Sequence, residues 1–539
     1  MATSSDECLS EHAIILRSIL TDVEKLVDNL PPPRSISLSS HCAGSYNNAL
    51  HDARGVAESI KEQRRKGLRD FFTQEATVDV VRIINGDKRA ELVVGDQTEI
   101  MLTPLEFKQR YVYRNIPAIV RGLEDEGCSF HNLAKSWRKD NCDGKTSIRC
   151  SWFSENVGGN SVVPVRMPLY PAENTSTSSI SVLDEEGRAR ECETIEMSMD
   201  SWIKYCQDDK ASASHSTKEE SRDKLYLKDW HLMQVIENKE KEREEQMSAS
   251  TRREGRNSQI PLYFVPSIFE RDVLNPFLRK YFGGDFRFVY WGPAASSTAL
   301  HSDVLNTFSW SFNVVGKKRW TFYCSPSFKR DKGMGEVFNR GDQEAEEDAL
   351  SFSFTQLEGE AVFVPSGWQH KVRNIEETLS VNHNWFTAAS IDRIWECILI
   401  EAKSVEDECN QWGIPSDDLD ARETMLRGCI GLNVSMFFLA LLFSLVQEIS
   451  MLEGLHNVSQ SKVLADTSEC AFNIYRLSNQ LESMLEIPSA GGDSDDEIRS
   501  VTAYKTQLAQ RLRATLMNEE LAKRALNLAN HVVQWKDGL

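Results

Sequence analysis

A histidine and an aspartate two residues apart, His301 and Asp303, could reach one metal ion together. They lie in the segment STALHSDVLNTFSW, whose short apolar runs are typical of β-strands, and alternate side chains of a strand point to the same face. A second histidine, His370, follows the apolar run EAVFV and the turn Pro-Ser-Gly-Trp. The pattern predicts that these three side chains meet at one metal site.

Two histidines and one carboxylate fill three positions of an octahedral metal ion and leave three open. This is the ligand set of non-haem iron(II) oxygenases, whereas a closed structural zinc site leaves no position open. Taken singly, a His-x-Asp pair is most often a surface histidine beside a solvated acid. A lone histidine such as His370 is most often hydrogen-bonded in a core or loop. The combination, with strand context on both sides, therefore carries the prediction.

A lysine seventeen residues after His301 is a candidate anion-binding group. We interpret Gly316-Lys317 as a two-residue hairpin turn with glycine first, so that Lys318 opens the return strand on the face of Trp320 and Phe322. A lysine among aromatic side chains inside a barrel is costly unless an anion meets it, and the distal carboxylate of 2-oxoglutarate is a suitable partner. Lys317 is interpreted as a solvated residue of the turn.

The run TLSVNHNW predicts a strand with one polar face. Its polar face consists of Thr378, Ser380, Asn382 and Asn384. One polar face on a core strand is typical of a lined pocket, so Asn382 and Asn384 are candidates to support the cosubstrate or the metal ligands. His383 lies on the opposite face and is interpreted as a structural histidine.

The elements that must position these residues are predicted to form an α+β fold with a mainly β core. Between 263 and 386 the runs FRFVYW, SWSFNVV, RWTFY, EAVFV and TLSVNHNW follow one another at the spacing of an antiparallel sandwich or barrel. The sequence divides into an N-terminal helical region (1–77), a region leading into the core (78–262), the β core (263–390) and a C-terminal helical domain (391–539).

Helices and loops are predicted outside this core. Amphipathic patterns predict helices at 10–30 and 50–74. Polar stretches at 174–193, 207–224 and 237–257 are predicted to be surface insertions or flexible loops, and 489–497 an acidic linker. The uncharged segment GCIGLNVSMFFLALLFSLV (428–446) has nearly the length of a membrane span, but its polar residues and its flanks favour a core helix of a helical domain docked on the barrel.

The net charge of −19 on 539 residues argues against a surface dedicated to direct nucleic-acid binding. The twelve cysteines include no closely spaced pair, which fits a reducing compartment better than a disulfide framework. The first twenty residues lack a basic segment followed by an apolar one, so no secretory signal is predicted. We expect a cytoplasmic protein, with the nucleus as a second compartment and with no membrane attachment.

Three segments together closely resemble the JmjC oxygenases: FRFVYWGPAASSTALHSD, then GKKRW, then GEAVFVPSGWQHKVRNIEETLSVNHNWF. The motifs are most specific between 286 and 386. NIPAIVRG (115–122), MSMDSWIKYC (197–206) and LYLKDWHL (225–232) extend the resemblance more loosely toward the N-terminus. The resemblance implies a double-stranded β-helix, a cupin-like barrel of two sheets with the iron inside.

Roles for individual residues follow from this resemblance. It implies that His301, Asp303 and His370 bind iron(II) and that Lys318 binds the C5 carboxylate of 2-oxoglutarate. Thr298 matches a hydroxyl position that assists this lysine in some members. Asn384 matches a side chain that commonly lines the same pocket, and Ser311 stands where close relatives often have asparagine.

Within the family, the HSDVLNTFSWS run, the SVNHNWF ending and the helical C-terminal extension are most similar to members that hydroxylate the eukaryotic peptide-chain release factor. The resemblance implies that iron(II), 2-oxoglutarate and O₂ are used to hydroxylate a lysine side-chain carbon of a protein substrate, with that release factor as the candidate.

Two alternatives stay open from the sequence. A JmjC histone lysine demethylase would use the same chemistry, but the chain has no Cys/His reader module and no basic DNA-binding tract. It also carries aspartate at 303, where demethylases more often carry glutamate. A non-catalytic cupin-like binding scaffold is the second alternative, and the intact ligand set with Lys318 argues against it.

Overall fold

A computed structural model gives the structure of the protein. It describes residues 40–73, 78–83, 92–94, 97–142, 144–167, 194–213, 224–246, 261–324, 350–415, 418–454 and 460–486, with a few single positions near 18–28 and 523–527. The predicted helix at 10–30, the polar stretch 174–193 and the linker 489–497 lie wholly or mostly outside the described residues.

The described residues divide into two compact units. The β unit comprises Gly67–Glu270 and Phe286–Asn384, and the helical unit comprises Met1–Lys66, Arg271–Asp285 and Trp385–Leu539. The four-part division expected from the sequence stays a prediction.

The β unit is built on two large sheets. Its strands are β1 Asp79–Ile83, β2 Leu92–Val94, β3 Gln97–Leu102, β4 Ala118–Arg121, β5 Arg138–Asp140, β6 Thr146–Ile148, β7 Val162–Arg166, β8 Thr194–Ser198, β9 Tyr226–Trp230, β10 Arg287–Gly292, β11 Ser297–His301, β12 Phe308–Val315, β13 Lys318–Cys324, β14 Leu350–Gln356, β15 Ala361–Val364, β16 Gln369–Asn374 and β17 Thr378–Trp385. The major sheet has the order β2-β3-β1-β4-β15-β12-β17-β10-β9-β7-β8, the minor sheet has the order β11-β16-β13-β14, and β5 pairs with β6. The predicted α+β fold with a β core of two sheets is confirmed.

Strand β12 shows how the sequence separates a packed face from a polar one. Its aromatic residues Phe308, Trp310 and Phe312 alternate with Ser309, Ser311 and Asn313, and all are buried. Phe312 stacks on Phe130 at a centroid distance of 4.1 Å, and Trp310 stacks on Phe269 at 5.5 Å. Because alternate side chains lie on opposite faces, the serines face the space between the two sheets.

The hairpin expected at Gly316-Lys317 is not formed, because β12 and β13 belong to different sheets. Gly316 has a φ of +83°, as a turn with glycine first requires. A Cβ at this position would lie 2.0 Å from the carbonyl oxygen of Glu377, so no other residue fits. The turn therefore carries the chain from the major sheet to the minor sheet, where β13 pairs with β14 and β16.

The helices are α1 Ser40–Glu58, α2 Ile60–Thr73, α3 Pro104–Phe107, α4 His131–Trp137, α5 Cys150–Phe153, α6 Met199–Ala213, α7 Leu232–Gln246, α8 Asn275–Tyr281, α9 Ile391–Gln411, α10 Leu419–Ile430, α11 Val434–Gly454 and α12 Gln460–Leu485. Short π-helical turns at Lys108–Val112 and Ser154–Gly158 and 3₁₀ turns at Ser267–Phe269 and Val304–Asn306 complete the described elements.

The prediction of loops is wrong in part for two of the polar stretches. Residues 207–213 belong to α6, and residues 237–246 belong to α7. The run ENKEKEREEQ is charged, but Glu, Lys, Gln and Arg are good helix formers, so a solvated helix is stable without much apolar surface. Arg287 of β10 donates to both carboxylate oxygens of Glu237 at 2.9 and 3.0 Å, which ties α7 to the sheet.

The apolar segment 428–446, predicted to be one core helix, is divided between two helices. Residues 428–430 end α10, Gly431 breaks the helix with a φ of +76°, and the rest of the segment opens α11 at Val434. Val434–Leu452 is long and apolar enough to cross a membrane, but 83% of this stretch is buried inside the protein. Asn433 and Glu423 cap its first turn, with Glu423 accepting hydrogen bonds from the amides of Val434 and Ser435. A polar cap of this kind satisfies the free amides of a helix in a protein interior.

Aromatic packing covers α11 inside the helical unit. Phe437 is completely buried and stacks on Trp395 of α9 at a centroid distance of 5.8 Å. Phe443 contacts Phe277 and Tyr281 of α8. The docking of the helical unit on the barrel stays a prediction.

We predict that Phe437→Ala lowers the free energy of unfolding of the helical unit by about 3–5 kcal/mol, because it removes a large buried side chain and leaves a cavity. Trp412→Ala is the matched control, since Trp412 is 70% exposed and its loss should cost less than about 0.5 kcal/mol. Urea denaturation followed by circular dichroism measures both. Equal effects of the two substitutions would contradict the assignment of α11 as a core helix.

Candidate metal centre and cosubstrate pocket

A single pocket of the β unit collects the residues singled out in the sequence. It has a volume of about 430 Å³, is partly open to solvent and lies between the major and minor sheets. Its lining includes all seven candidates: Thr298, His301, Asp303, Lys318, His370, Asn382 and Asn384.

The candidate metal ligands converge. One nitrogen of His301, one nitrogen of His370 and one carboxylate oxygen of Asp303 all lie within 4.8 Å of one another. His301 and His370 are directly opposite each other on the paired strands β11 and β16, with ring centroids 4.4 Å apart. Asp303 lies two residues beyond the end of β11, in extended conformation, rather than on the strand itself.

A β-bulge in β11 aims His301 into the pocket. Thr298 pairs with Val372 and His301 pairs with His370, so three steps along β11 match two steps along β16. Strict alternation would place Thr298 and His301 on opposite faces, but both line the pocket because the extra residue shifts the register.

Backbone carbonyls fix both imidazole rings. The Nδ1 atom of His301 lies 2.9 Å from the carbonyl oxygen of Ala299, and the Nδ1 atom of His370 lies 3.1 Å from that of Trp368. An Nδ1–H that donates to a carbonyl leaves Nε2 as the atom that can bind a metal. Burial, with the nearby charges of His370 and Lys228, lowers the pKa of His301, so its ring is neutral as metal binding requires.

The carboxylate of Asp303 is oriented by its own loop. The hydroxyl of Ser309 donates to Oδ2 of Asp303 at 2.8 Å. The chain between them turns through Leu305 and Asn306, which have φ angles of +56° and +51°. Left-handed backbone at two consecutive non-glycine residues costs conformational energy and persists only where the surroundings impose it.

A hydrogen-bonded link joins the two ligand-bearing loops. Asn115 of the segment NIPAIVRG donates to the carbonyl of Ser366 at 3.0 Å and accepts from its amide at 2.8 Å. The hydroxyl of Ser366 donates to the carbonyl of Asn306 at 2.6 Å. The turn before His370 and the turn after Asp303 are therefore held together by one buried serine.

Lys318 lies deep in the pocket, only 1% exposed. Its ammonium donates to the hydroxyl of Ser380 at 2.6 Å, across the space between the sheets. Burial, and then the positive charge of Lys228, lower the pKa of Lys318 to about 7. The geometry thus places a buried cation beside the candidate metal site, hydrogen-bonded to a hydroxyl and to no carboxylate of the described residues. An anionic ligand would stabilise its charged form.

The remaining candidates have distinct surroundings. Asn382 donates to the hydroxyl of Ser380 at 3.0 Å, next to Lys318, and Asn384 donates to that of Thr307 at 3.1 Å. Thr298 lines the pocket beside them. His383 faces away, and its Nε2 atom shares a 2.6 Å hydrogen bond with the hydroxyl of Tyr263.

Sequence reasoning missed several pocket residues, chiefly Tyr226, Lys228, Tyr290 and Ser309. The first two lie in LYLKDWHL. They are two residues apart, so they share one face of a strand, and this spacing was the only local signal. Tyr290 and Ser309 stand in strands that were predicted correctly, but only the pairing of those strands brings them to the site.

The donor set fits a metal ion with open coordination positions. Two imidazoles and one oriented carboxylate are hard or borderline ligands, which suit iron(II), and the polar pocket beside them leaves room for a bidentate ligand. A four-ligand closed zinc site is not formed by the described His, Cys, Asp and Glu residues at this place.

Comparisons with known proteins agree with this geometry. Residues 288–385 match the family described as JmjC domain, hydroxylase. The chain is 27% identical to mouse 2-oxoglutarate and iron-dependent oxygenase JMJD4, over 73% of this chain and 84% of the mouse protein. It is 29% identical to the Drosophila melanogaster homologue, over 71% and 84% of the two chains. It is 28% identical to Arginine-specific demethylase JMJ20 of Arabidopsis thaliana, over 73% and 79%.

We predict that Ser309→Ala weakens the binding of a divalent metal by about 10- to 100-fold, because residues that orient a ligand typically contribute this much to affinity. Asp303→Ala should abolish measurable binding. Titration calorimetry with Mn(II) measures both. Ser311→Ala is the matched control, since Ser311 lines the same pocket two residues further along β12 and its hydroxyl has no hydrogen-bond partner among the described residues. Unchanged affinity in Ser309→Ala would show that Ser309 does not orient the ligand.

Proposed function

We propose that this chain, which is a JmjC-domain oxygenase dependent on iron and 2-oxoglutarate, is a protein hydroxylase that modifies a lysine side-chain carbon. The observation that carries the proposal is the convergence of His301, Asp303 and His370 in one pocket that also holds the buried ammonium of Lys318. A metal site and an anion site in one cavity fit a cosubstrate that has a metal-chelating end and a distal carboxylate.

Iron(II) with 2-oxoglutarate and O₂ supplies oxidation of an unactivated C–H bond, while the cosubstrate loses CO₂ and becomes succinate. The chain's own residues bind and orient. His301, Asp303 and His370 would hold the metal, and Lys318 would hold the distal carboxylate, with Ser380 and Asn382 keeping the ammonium in place. The buried strands β12 and β17 exclude water from this end of the pocket.

We propose a protein substrate, and a eukaryotic peptide-chain release factor as the first candidate. Two findings support a protein substrate. Residues 288–385 match the JmjC hydroxylase family, and the chain is similar to the mouse 2-oxoglutarate and iron-dependent oxygenase. The support for the release factor is the resemblance of the HSDVLNTFSWS and SVNHNWF segments to hydroxylases of that factor. Aspartate at 303 favours hydroxylation over lysine demethylation within the family.

Arginine demethylation is the second candidate, because the similarity to the Arabidopsis protein named as an arginine-specific demethylase is as extensive as that to the mouse protein. Both reactions begin with oxidation of a C–H bond. They differ in their products, since an N-methyl group is lost as formaldehyde, whereas a hydroxyl group on carbon is retained.

We propose that the protein acts in the cytoplasm, with the nucleus as a second compartment. The eight cysteines whose side chains are described are free thiols, and the one long apolar helix of the described part of the chain is mostly buried. Subcellular fractionation tests this, and recovery only in a detergent-extracted membrane pellet would contradict it.

We expect intact-mass analysis to show a gain of one oxygen atom on a release-factor fragment incubated with the full chain, iron(II), ascorbate and 2-oxoglutarate. Peptide fragmentation should place the oxygen on a lysine side chain. His301→Ala is the inactive control. Loss of a methyl group with formaldehyde would identify a demethylase instead, and absence of succinate with every peptide would favour a binding scaffold.

Replacing Lys318 with alanine should weaken the binding of 2-oxoglutarate by about 2–5 kcal/mol, because a buried charge-assisted contact is lost. The binding of the metal should be weakened much less.

With a pKa of about 7, Lys318 is charged below pH 7. Above pH 7 it must take up a proton in order to bind an anion. The wild-type affinity for 2-oxoglutarate should therefore fall as pH rises from 7 to 9, by up to about tenfold per pH unit. Calorimetry measures both effects, and Lys317→Ala is the exposed control. An unchanged affinity in Lys318→Ala would place the anchor elsewhere.

A further inference from the structure

A second β-bulge, in β9, marks the position of Lys228 on the wall of the pocket. Val289 of β10 pairs with Trp230, and Trp291 pairs with Leu227, so three steps on β9 match two steps on β10. The extra residue is accommodated next to Asp229, which has a φ of +58°. Bulges beside active sites commonly re-aim one side chain, and here Lys228 lines the pocket.

The strained residue is held by two strong contacts. Arg166 of β7 and the hydroxyl of Tyr290 each donate to the carboxylate of Asp229 at 3.0 Å. Burial alone would raise the pKa of Asp229, but Lys228, Arg166 and Tyr290 together hold it below its usual value. Asp229 therefore stays ionised, and its contacts impose the left-handed backbone that turns the neighbouring Lys228 toward the cavity.

The ammonium of Lys228 lies over the pocket's two tyrosines. Its Nζ atom is 5.1 Å from the centroid of the Tyr290 ring and 6.0 Å from that of Tyr226. The faces of aromatic rings attract cations, so these rings favour a fixed position of the ammonium.

Strand register places Lys228 nearer to the metal site than Tyr226. Tyr290 is directly opposite Ser380 of β17, whereas Gly292, whose backbone packs against the Tyr226 ring, is opposite Thr378. Further along β17 in the same direction come Asn382 and Asn384. Asn384 bonds to Thr307, within the loop that carries the metal ligand Asp303.

The pocket thus contains two ammonium groups. That of Lys318 bonds to Ser380, and that of Lys228 lies over the ring of Tyr290, close enough to His301 for its charge to act on that imidazole. Their repulsion is evident in the lowered pKa of Lys318, to which burial contributes most and the charge of Lys228 next. A pocket that brings two lysines together is unfavourable when empty and is suited to a ligand with two negative groups.

We propose that Lys228 binds the carboxylate of the 2-oxo acid at its oxo end, while Lys318 binds the distal carboxylate. The inference rests on the proposed function, since it assigns a residue to the cosubstrate of that same site. Lys228 would neutralise charge on the carboxylate next to the metal and, with the tyrosine rings, orient the chelating end. Lys228 and Lys318 together would make the pocket bind 2-oxo diacids in preference to monoacids.

The test measures binding, with no turnover, to the full chain loaded with Mn(II). Two analogues separate the ends of the cosubstrate. In 2-oxopentanoate a methyl group replaces the distal carboxylate, and in 4-oxopentanoate a methyl group replaces the carboxylate next to the oxo group. Dissociation constants of these analogues and of 2-oxoglutarate are measured by calorimetry, with weak ligands measured by displacement.

Lys228→Met should raise the dissociation constants of 2-oxoglutarate and 2-oxopentanoate by a similar factor, about 10- to 100-fold, because both lose a charge-assisted contact. The dissociation constant of 4-oxopentanoate should change less than about twofold, since that analogue lacks the carboxylate that Lys228 binds. Lys318→Met should show the reverse selectivity, and Lys317→Met, which removes the same charge from an exposed position, should affect none of the three. Lys228→Arg should restore most of the affinity.

Affinity for 2-oxoglutarate unchanged in Lys228→Met would overturn the inference. A loss of 4-oxopentanoate binding as large as that of 2-oxopentanoate would overturn it too, because Lys228 would then act on both ends alike. A loss confined to 2-oxoglutarate and 4-oxopentanoate would place Lys228 at the distal carboxylate and also overturn it. Lys228→Gln repeats the measurement if the methionine variant has a lowered melting temperature. Failure of the wild-type protein to bind 2-oxoglutarate would overturn the proposed function itself, which distinguishes the two failures.

Discussion

The pairing of β11 with β16 is the constraint on which the candidate site depends. It places His301 directly opposite His370, so two candidate ligands that are 69 residues apart in the chain (370 − 301) become neighbours. The pairing works only with a bulge, because a strict ladder would turn one of the two histidines to the wrong face of the sheet. The carboxylate of Asp303 then needs only a short extended link and one hydrogen bond from Ser309 to complete the set.

Polar contacts across the gap between the sheets keep the pocket from collapsing onto an apolar core. Lys318 reaches from the minor sheet to Ser380 of the major sheet, and Gln356 of β14 donates to the carbonyls of Ser311 and Glu360. Gln356 also accepts from the indole of Trp320 at 2.9 Å. Each of these groups is buried, so each would be destabilising without its partner, and together they fix the spacing of the two sheets.

The helical unit solves a different physical problem, that of covering a nearly all-apolar helix. Phe437 and Phe443 of α11 are enclosed by aromatic side chains of α8 and α9, and its first turn is capped by a buried glutamate. A buried network in the same unit joins Arg64 and Arg476 to Asp392. The two arginines hold the pKa of Asp392 well below its usual value against the effect of burial, so the charge is retained inside the unit.

The sequence by itself determined the residue types of the site and the strands that carry them. His301, Asp303, His370 and Lys318 were identified because a metal set and a buried cation need those side chains, and the alternation of β12 and β17 separated a polar face from an aromatic one. Local pattern failed where the partner of a strand matters. It placed β12 and β13 in one hairpin, although Gly316 carries the chain between two sheets, and it gave no sign of either bulge. Only tertiary structure decided that Lys228 faces the pocket, because strand register depends on residues far apart in the chain, and a shift of one residue reverses the face on which a side chain lies.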